Sequence, residues 1–154
     1  MKVVRTSDAS IIARLNEPVQ ELHFKMYPEK FKPFDFEGVK DYFQDVIEGD
    51  KQYFYVAEES DQAVGYIWFQ EVSKEATAFS HERSMIYINQ LSVNPDSKGK
   101  GIGKALLGQA IDLAKEKGIA KIGLDYYTKN ELSKKIYEKM GFEVVSEVAF
   151  IDLD

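Results

Sequence analysis

The chain has 154 residues, of which 44% are hydrophobic, and its formal net charge is −6. This length is typical of one domain and is sufficient for a substantial hydrophobic core. The acidic balance argues against general nucleic-acid binding, which requires a basic face, and it is compatible with a cationic amine as partner. The absence of cysteine excludes disulfides, thiolate metal sites and a cysteine nucleophile, and we expect no metal site.

The chain shows no sign of export or of a membrane segment. Its first residues lack the apolar core of a secretion signal, and no run of about eighteen apolar residues occurs. We therefore expect a cytoplasmic protein without membrane contact. Because no repeat, linker or low-complexity tract interrupts the chain, we also expect a single domain over residues 1–154.

The hydrophobic pattern of the first half predicts strands and helices in alternation. The predicted elements are a strand over residues 2–5, helices over 11–15, 18–26 and 36–47, and strands over 52–58, 63–72 and 85–93. Pro18 is expected to restart the helix after Asn16, because proline fits the first helical turn. Gly65 is expected to mark a bulge or a close approach of two strands.

The second half predicts a glycine-rich loop followed by more alternating elements. These are a helix over residues 101–117, ended by Gly118, a strand over 121–126, a helix over 130–140 and a final strand over 142–151. The whole pattern predicts an α/β fold with one mixed sheet flanked by helices. The sheet is expected to be antiparallel in its first half, with a parallel crossover at the glycine-rich loop. Exposed strand edges are compatible with a homodimer, although no sequence feature specifies one.

Residues 98–104 form a basic, glycine-rich loop between a strand and a helix. No acidic residue lies between positions 97 and 108. Glycine lets backbone N–H groups turn toward a ligand, and a helix N-terminus adds unpaired donors and a partial positive charge. We therefore predict a phosphate or pyrophosphate site, formed by Lys98, Gly99, Lys100, Gly101, Ile102, Gly103 and Lys104.

Two familiar nucleotide loops fit this segment less well. A Walker-type loop requires glycine where Lys98 stands and a Ser or Thr hydroxyl where Ala105 stands. A dinucleotide-binding loop requires a third glycine at the position that Ala105 occupies. Asp125, however, follows the loop at a sequence distance that is compatible with a ribose contact. That fingerprint normally opens its domain, whereas several strands precede the loop here. A plain glycine-rich turn is the alternative without a ligand.

The loop resembles motif A of the GNAT N-acetyltransferases, (Arg/Gln)-x-x-Gly-x-(Gly/Ala), with lysine at the first position. Motif B of that family, Asn-x-x-(Ala/Ser)-x-x-x-Tyr-x-x-x-Gly-Phe, is similar to the segment that holds Asn130, Ser133, Tyr137 and Gly141-Phe142. The resemblance covers residues 87–142. It implies a GNAT-like fold, acetyl-CoA as cofactor, and acetyl transfer to a primary amine of a small molecule or peptide by direct attack in a ternary complex.

The resemblance also implies roles for single residues. Leu91-Ser92-Val93 match the end of the family's fourth strand, where a bulge frees backbone groups for the pantetheine arm and the acetyl carbonyl. Tyr137 matches a tyrosine that protonates the departing thiolate as general acid; the alternative is a helix tyrosine that packs on the core. Asn130 and Ser133 match positions of the cofactor pocket, while Asn130 also has the features of an ordinary N-cap.

The sequence leaves the identity of the general base and of the acceptor site undetermined. Many relatives carry a Glu just before the bulge, where this chain has Asn89-Gln90. The amine proton could then pass to a water chain, to bulk solvent or to Asp125, which also has the features of a turn residue. His23 is a base candidate on chemistry alone, although a structural histidine is the simpler interpretation, and His81 is expected to be exposed. The acceptor-side candidates are Asn89, Asp125 and an aromatic group, for each member of which core packing is the simpler interpretation: His23, Tyr27, Phe31 and Phe34.

Two other functions compete with acetyl transfer. A CoA-binding regulatory module that has lost turnover would explain the missing Glu at Asn89, whereas Tyr137 argues against it. A nucleotide-dependent enzyme could use the same anion loop. Stabilisation by acetyl-CoA but not by ATP or NAD would separate these functions.

Overall fold

Five strands form one mixed sheet with helices on both faces in the computed structural model, which describes residues 1–154. The strands are β1 (Lys2–Arg5), β2 (Gln52–Glu59), β3 (Gln62–Lys74), β4 (Arg83–Val93) and β5 (Ile122–Leu124). The helices are α1 (Ala9–Met26), α2 (Phe36–Ile47), α3 (Ile102–Glu116) and α4 (Glu131–Lys139), and none has the length and apolar character needed to cross a bilayer. Strands β1 to β4 pair antiparallel in order and β5 pairs parallel with β4, which confirms the predicted mixed α/β sheet.

Two hydrophobic clusters lie on opposite faces of this sheet. The cluster on the side of α1 and α2 includes the buried rings of Phe43 and Tyr66, and the cluster on the side of α3 includes Phe69 and Leu106. Successive residues of β3 point alternately to the two clusters. Because both faces of β3 are covered, residues 64–69 are all buried, which explains the continuous apolar run in the sequence.

Helix α1 runs without interruption from Ala9 to Met26 and contains Pro18, so the predicted restart of the helix at Pro18 is wrong. The Asp8 side chain caps the helix by accepting hydrogen bonds from two N–H groups of the first turn. Pro18 removes only the N–H that would bond to the Arg14 carbonyl. Arg14 is exposed, so water can replace that bond, while buried Ile12 and Leu15 hold the helix on the sheet.

Gly65 lies where β3 closely approaches the end of β4. A Cβ atom at this position would lie 2.8 Å from the Ser92 carbonyl oxygen and 3.3 Å from the Val93 Cα. The side chain of any other residue would therefore push the two strands apart. This result confirms close approach, one of the two interpretations of Gly65, and the nearby β-bulge lies one residue earlier, at Val64.

The C-terminal segment departs most from the sequence-based expectation. The predicted strand over residues 142–151 is wrong, because residues 143–154 form no strand and make no hydrogen bond. Phe142 still packs against the α3-side cluster, and every residue beyond it is exposed. A strand requires a partner strand, and nothing in this chain pairs with the segment. β5, only three residues long, is consequently the edge of the sheet.

Candidate active site

The glycine-rich loop lies where the chain leaves β4 and crosses over to α3. A 3-10 turn (Pro95–Ser97) follows β4, and α3 begins at Ile102. Gly99 and Gly101 have φ angles of 81° and 79°, in the left-handed region that favours glycine. A Cβ atom at either glycine would meet nothing within 4 Å, so the space next to the loop is open.

The amide N–H groups of this loop have no acceptors in the protein. From Gly99 to Lys104 none donates a hydrogen bond, whereas the Asn94 N–H bonds to the Val64 carbonyl at 2.8 Å and the Ala105 N–H bonds to the Gly101 carbonyl. The first turn of any α-helix leaves such donors free. Here two further free donors, the N–H groups of Gly99 and Lys100, precede the four of the helix start, and the partial positive charge of the helix adds to them. The loop can therefore hold an anion with several acceptor oxygens.

The three lysines of the loop supply less positive charge than the sequence suggests. Lys98 and Lys104 are exposed. The Lys100 ammonium lies 3.2 Å from the Glu59 carboxylate at the end of β2, so one of the three charges is paired. Sequence analysis found no acidic neighbour because Glu59 reaches the loop only in the folded chain.

Strands β4 and β5 separate at a bulge in β4. The β3–β4 register shifts between Trp68 and Phe69, which leaves Asn89 without a partner on β3. β5 pairs with β4 only as far as Ile88, so the outer side of residues 89–93 has no neighbouring strand. The resemblance placed the bulge at Leu91-Ser92-Val93; this placement is wrong, since these residues pair in register with β3. A bulge depends on the partner strand, which the motif does not include.

A buried tyrosine fixes the side chain of Gln90. The Tyr66 hydroxyl donates to Gln90 Oε1 at 2.6 Å and accepts from Asn16 Nδ2 at 3.0 Å. Burial raises the pKa of Tyr66, so this hydroxyl stays a neutral donor. Ser92 lies on the same face and donates its Oγ hydrogen to the Leu15 carbonyl at 3.3 Å. Gln90 thus links β4 to α1, and sequence reasoning missed the link because its members are distant in the chain.

Asn89 is the bulge residue, and its side chain is only partly hydrogen-bonded. Its Oδ1 accepts from Gln70 Nε2 at 3.3 Å, while its Nδ2 is shielded from solvent and has no partner. A shielded donor without an acceptor is unfavourable. Asn89 therefore has one side-chain donor that no group of the chain satisfies.

The second motif lies on α4 and at its ends. Asn130 Oδ1 accepts the Ser133 N–H at 3.1 Å, which confirms that Asn130 is the N-cap. The half-buried Tyr137 ring lies 5.7 Å from the Phe142 ring and 5.9 Å from the Tyr126 ring. Burial raises the pKa of Tyr137, and its hydroxyl has no hydrogen-bond partner in the chain. Tyr137 thus stays protonated at neutral pH, with an O–H group that has no acceptor in the chain.

Four rings form an aromatic cluster that connects α1 and the loop after it to the loop between β5 and α4: those of His23, Tyr27, Phe31 and Tyr127. The ring of Phe31 stacks on His23 at 4.9 Å, and Tyr127 lies 5.2 Å from Phe31 and 5.1 Å from Tyr27. Burial, together with the nearby Lys30 charge, lowers the pKa of His23, which favours the neutral imidazole. Sequence analysis named three of these rings and missed Tyr127, which joins them only through the fold.

The other candidates lie outside the aromatic cluster. The Phe34 ring makes no contact with the rings of this cluster. His81 is exposed in the loop between β3 and β4, as predicted. Asp125, also exposed, accepts a hydrogen bond from the Tyr87 hydroxyl. Burial and this bond raise the pKa of Tyr87. No group of three or more His, Cys, Asp or Glu side chains is placed to hold a metal ion.

The arrangement is that of an α/β protein with a row of free backbone amides at a strand-to-helix crossover and two parallel strands that separate after Ile88. The model of the Acetyltransferase (GNAT) family matches residues 16–142. The chain belongs to this family, which confirms the resemblance inferred from the two motifs.

Individual proteins of known sequence or structure show the same relationship. The chain is 30% identical over 130 residues to an uncharacterized N-acetyltransferase of Methanocaldococcus jannaschii, covering 80% of this chain and 54% of that protein, about half its length. It is 28% identical over 145 residues to the ribosomal protein bS18-alanine N-acetyltransferase of Haemophilus influenzae, covering 94% and 84% of the two chains. The X-ray structure of a tetramutant of the BH1408 protein from Bacillus halodurans has a TM-score of 0.93 at 25% identity, covering 99% of this chain and all of the other.

Proposed function

We propose that this protein transfers the acetyl group of acetyl-CoA to a primary amine, which attacks the thioester directly in a ternary complex. The observation that carries the proposal is the row of N–H groups from Gly99 to Lys104 that have no acceptors. A pyrophosphate offers the oxygens that such a row can bind. Membership of an acetyltransferase family supports acyl transfer, and the likeness to an alanine N-acetyltransferase supports an amine acceptor.

The free side of residues 89–93 is the proposed docking edge for the pantetheine arm. Acetyl-CoA supplies the acetyl thioester, and its pantetheine arm carries amide groups that can pair with an open strand edge, as in strand addition. A backbone N–H on this edge is the proposed donor to the oxyanion that develops on the acetyl carbonyl. One such donor typically contributes about 3 kcal/mol to transition-state stabilisation.

Tyr137 is the proposed general acid. As the amine nitrogen bonds to the carbonyl carbon, the C–S bond breaks and the Tyr137 hydroxyl gives its proton to the leaving sulfur; the phenolate then regains a proton from solvent. Phenol and thiol have reference pKa values of about 10 and 8.5, so this transfer is uphill in water. It becomes feasible if the same burial that raises the pKa of Tyr137 also makes the thiolate more basic.

The aromatic cluster of His23, Tyr27, Phe31 and Tyr127 is the proposed wall of the acceptor site. It reaches the loop that follows β5, next to the place where β4 and β5 separate. Gln90 is held by Tyr66 and, as an amide, is a poor proton acceptor. Neutral His23 and Asp125 are therefore the proposed routes for the amine proton, together with solvent, and the acceptor is a primary amine of a small molecule or peptide.

Calorimetry with acetyl-CoA, ATP and NAD tests the anion site, and free-thiol release with a panel of amines tests turnover. We expect uptake of acetyl-CoA only, and thiol release that depends on the amine. The panel should include a polyamine, an aminoglycoside and a peptide with an N-terminal alanine. Absence of acetyl-CoA uptake would contradict the proposal. Uptake without thiol release from any amine would favour a CoA-binding module, which the amides at Asn89-Gln90, in place of a carboxylate, also favour.

A further inference from the structure

The C-terminal segment, residues 143–154, exposes an unusual amount of apolar surface. Twelve large hydrophobic side chains of the protein are exposed, and six of them lie in this segment, with exposed fractions from 57% for Val144 to 93% for Val145. The segment makes no hydrogen bond and no ion pair. Exposed apolar side chains concentrated in one short segment indicate a site of interaction.

The pattern of the segment is that of a strand covered on both faces. Successive residues of a strand point to opposite faces, and in this segment each face carries three large apolar side chains beside two acidic ones. One face would carry Val144, Val148 and Phe150, and the other Val145, Ile151 and Leu153. A strand on the surface of a sheet would be polar on one face, whereas a strand between two helical layers is apolar on both. The segment is therefore suited to a sheet with helices on both faces, such as the sheet of this protein.

The sheet of this protein lacks a neighbour at the β5 end. β5 is the last strand in the order, with no strand on its outer side, and its residues Ile122 and Leu124 are only half-buried. The following helix, α4, buries no residue. Leu132 and Ile136, one turn apart on one face of α4, are 57% and 41% exposed. The same end of the molecule thus has an open strand edge and an uncovered apolar helix face.

We propose that residues 143–154 of one copy pair with the β5 edge of a second copy, so that two chains exchange their C-terminal strands. Each chain carries both the unpaired strand and the open edge, so the contact is self-complementary and closes under a two-fold axis. Within one chain the two do not meet, because Phe142 packs against the core and the chain then leaves it.

The size of the segment agrees with a stable dimer. Stable interfaces involve about 20–30 residues on each side. Each chain would contribute its whole segment as donor and the surfaces of β5 and α4 as acceptor, which together approach that number.

Light scattering and sedimentation equilibrium of the full chain test the exchange. We expect a dimer with twice the 17.6 kDa mass of the chain, and a monomer for the double variant Val148→Glu/Phe150→Glu, which places two charges on one face of the segment. The matched control is Phe79→Glu. Phe79 is 99% exposed in the loop between β3 and β4, so this variant should stay dimeric.

Hydrogen exchange on the same samples locates the interface. The amides of β5 and of residues 143–154 should be protected in the dimer and unprotected in the double variant. A wild-type monomer overturns the proposal, and protection of the segment in that monomer would show that it folds onto its own sheet. A dimer that survives the double substitution, or whose segment exchanges freely, overturns it too. Circular dichroism verifies folding of the variants, and acetyl-CoA binding is measured separately, so this test is independent of the proposed function.

Discussion

The molecule divides at the end of α3 into a buried part and an exposed part. All 23 buried residues lie between Ile12 and Ala114, and none lies among residues 115–154. The first part is held by hydrophobic clusters on both faces of the sheet. In the second part, β5, α4 and the C-terminal segment have only half-buried or exposed residues. The first part is therefore stabilised by its own core, whereas the second part has fewer buried residues and should open more readily.

The candidate active site lies on the border between these two parts. The free amides lie at the start of α3, whose residues Ile102 and Leu106 are buried in the core. The C-terminal end of the glycine-rich loop is therefore fixed to the core. Tyr137 and Tyr127 belong to the exposed part. The proposed phosphate site and the proposed general acid, Tyr137, thus lie in regions that differ in burial, and we expect substitutions in the two parts to have different consequences.

The largest difference is expected in stability. Phe43 is 1% exposed and contacts the rings of Phe54, Tyr66 and Trp68. Phe43→Ala should lower the free energy of unfolding by about 3–5 kcal/mol, because it leaves a cavity in the core. Leu132→Ala on α4 should change it by less than about 0.5 kcal/mol when both variants are made in the monomeric Val148→Glu/Phe150→Glu background, in which nothing covers this face of α4. Denaturant unfolding of both variants measures the contrast, and similar losses would show that the two parts unfold as one tightly packed unit.

The next largest effect is expected at Tyr137. Tyr137→Phe should lower kcat by about 100-fold, since it removes the proton that the leaving thiolate takes up, with little change in the Kd for acetyl-CoA. Steady-state kinetics and calorimetry measure the two quantities. Tyr126→Phe removes a hydroxyl from the neighbouring ring, 5.9 Å away, and is the matched control. Unchanged turnover in Tyr137→Phe would end the general-acid assignment and leave Tyr137 a packing residue.

The features that could be predicted from the sequence are those that depend on residues adjacent in the chain. The bounds of β1 and α2 agree with prediction, because capping and hydrophobic periodicity are properties of adjacent residues. The conformations of Gly99 and Gly101 follow from their place between a strand and a helix. The motif spacing located Asn130 at the start of α4 for the same reason.

The rest could not be predicted because it depends on residues that are distant in the chain. The Glu59–Lys100 pair and the place of Tyr127 in the aromatic cluster arise only on folding. Residues 142–151 have the pattern of a strand, yet a strand forms only against a partner, which a single sequence does not reveal. The bulge at Asn89 is likewise fixed by the register of β3 against β4.

A smaller effect is expected in the anion loop. Gly101→Ala introduces a Cβ at a φ of 79°, which costs about 1–2 kcal/mol, and relief of this strain should displace the free amides and weaken acetyl-CoA binding by about tenfold. Gly108→Ala is the control, because Gly108 lies inside α3 with nothing within 4 Å of its added Cβ. It should stabilise the helix by about 0.5–1 kcal/mol and leave binding unchanged. Equal affinities in calorimetry would show that the loop geometry is not needed to bind acetyl-CoA.

The smallest effect is expected from the ion pair that joins β2 to the loop. Glu59→Gln frees the Lys100 ammonium, now 3.2 Å from that carboxylate with both side chains partly exposed. Exposed pairs are worth about 0.2–1 kcal/mol, so acetyl-CoA should bind at most about fivefold more tightly, and the gain should fade at high salt. Glu58→Gln is the control, since Glu58 pairs with Lys2, 2.9 Å away, and not with the loop. If Glu59→Gln leaves the affinity unchanged at low salt, Lys100 takes no part in holding the phosphates, and the backbone amides carry the site.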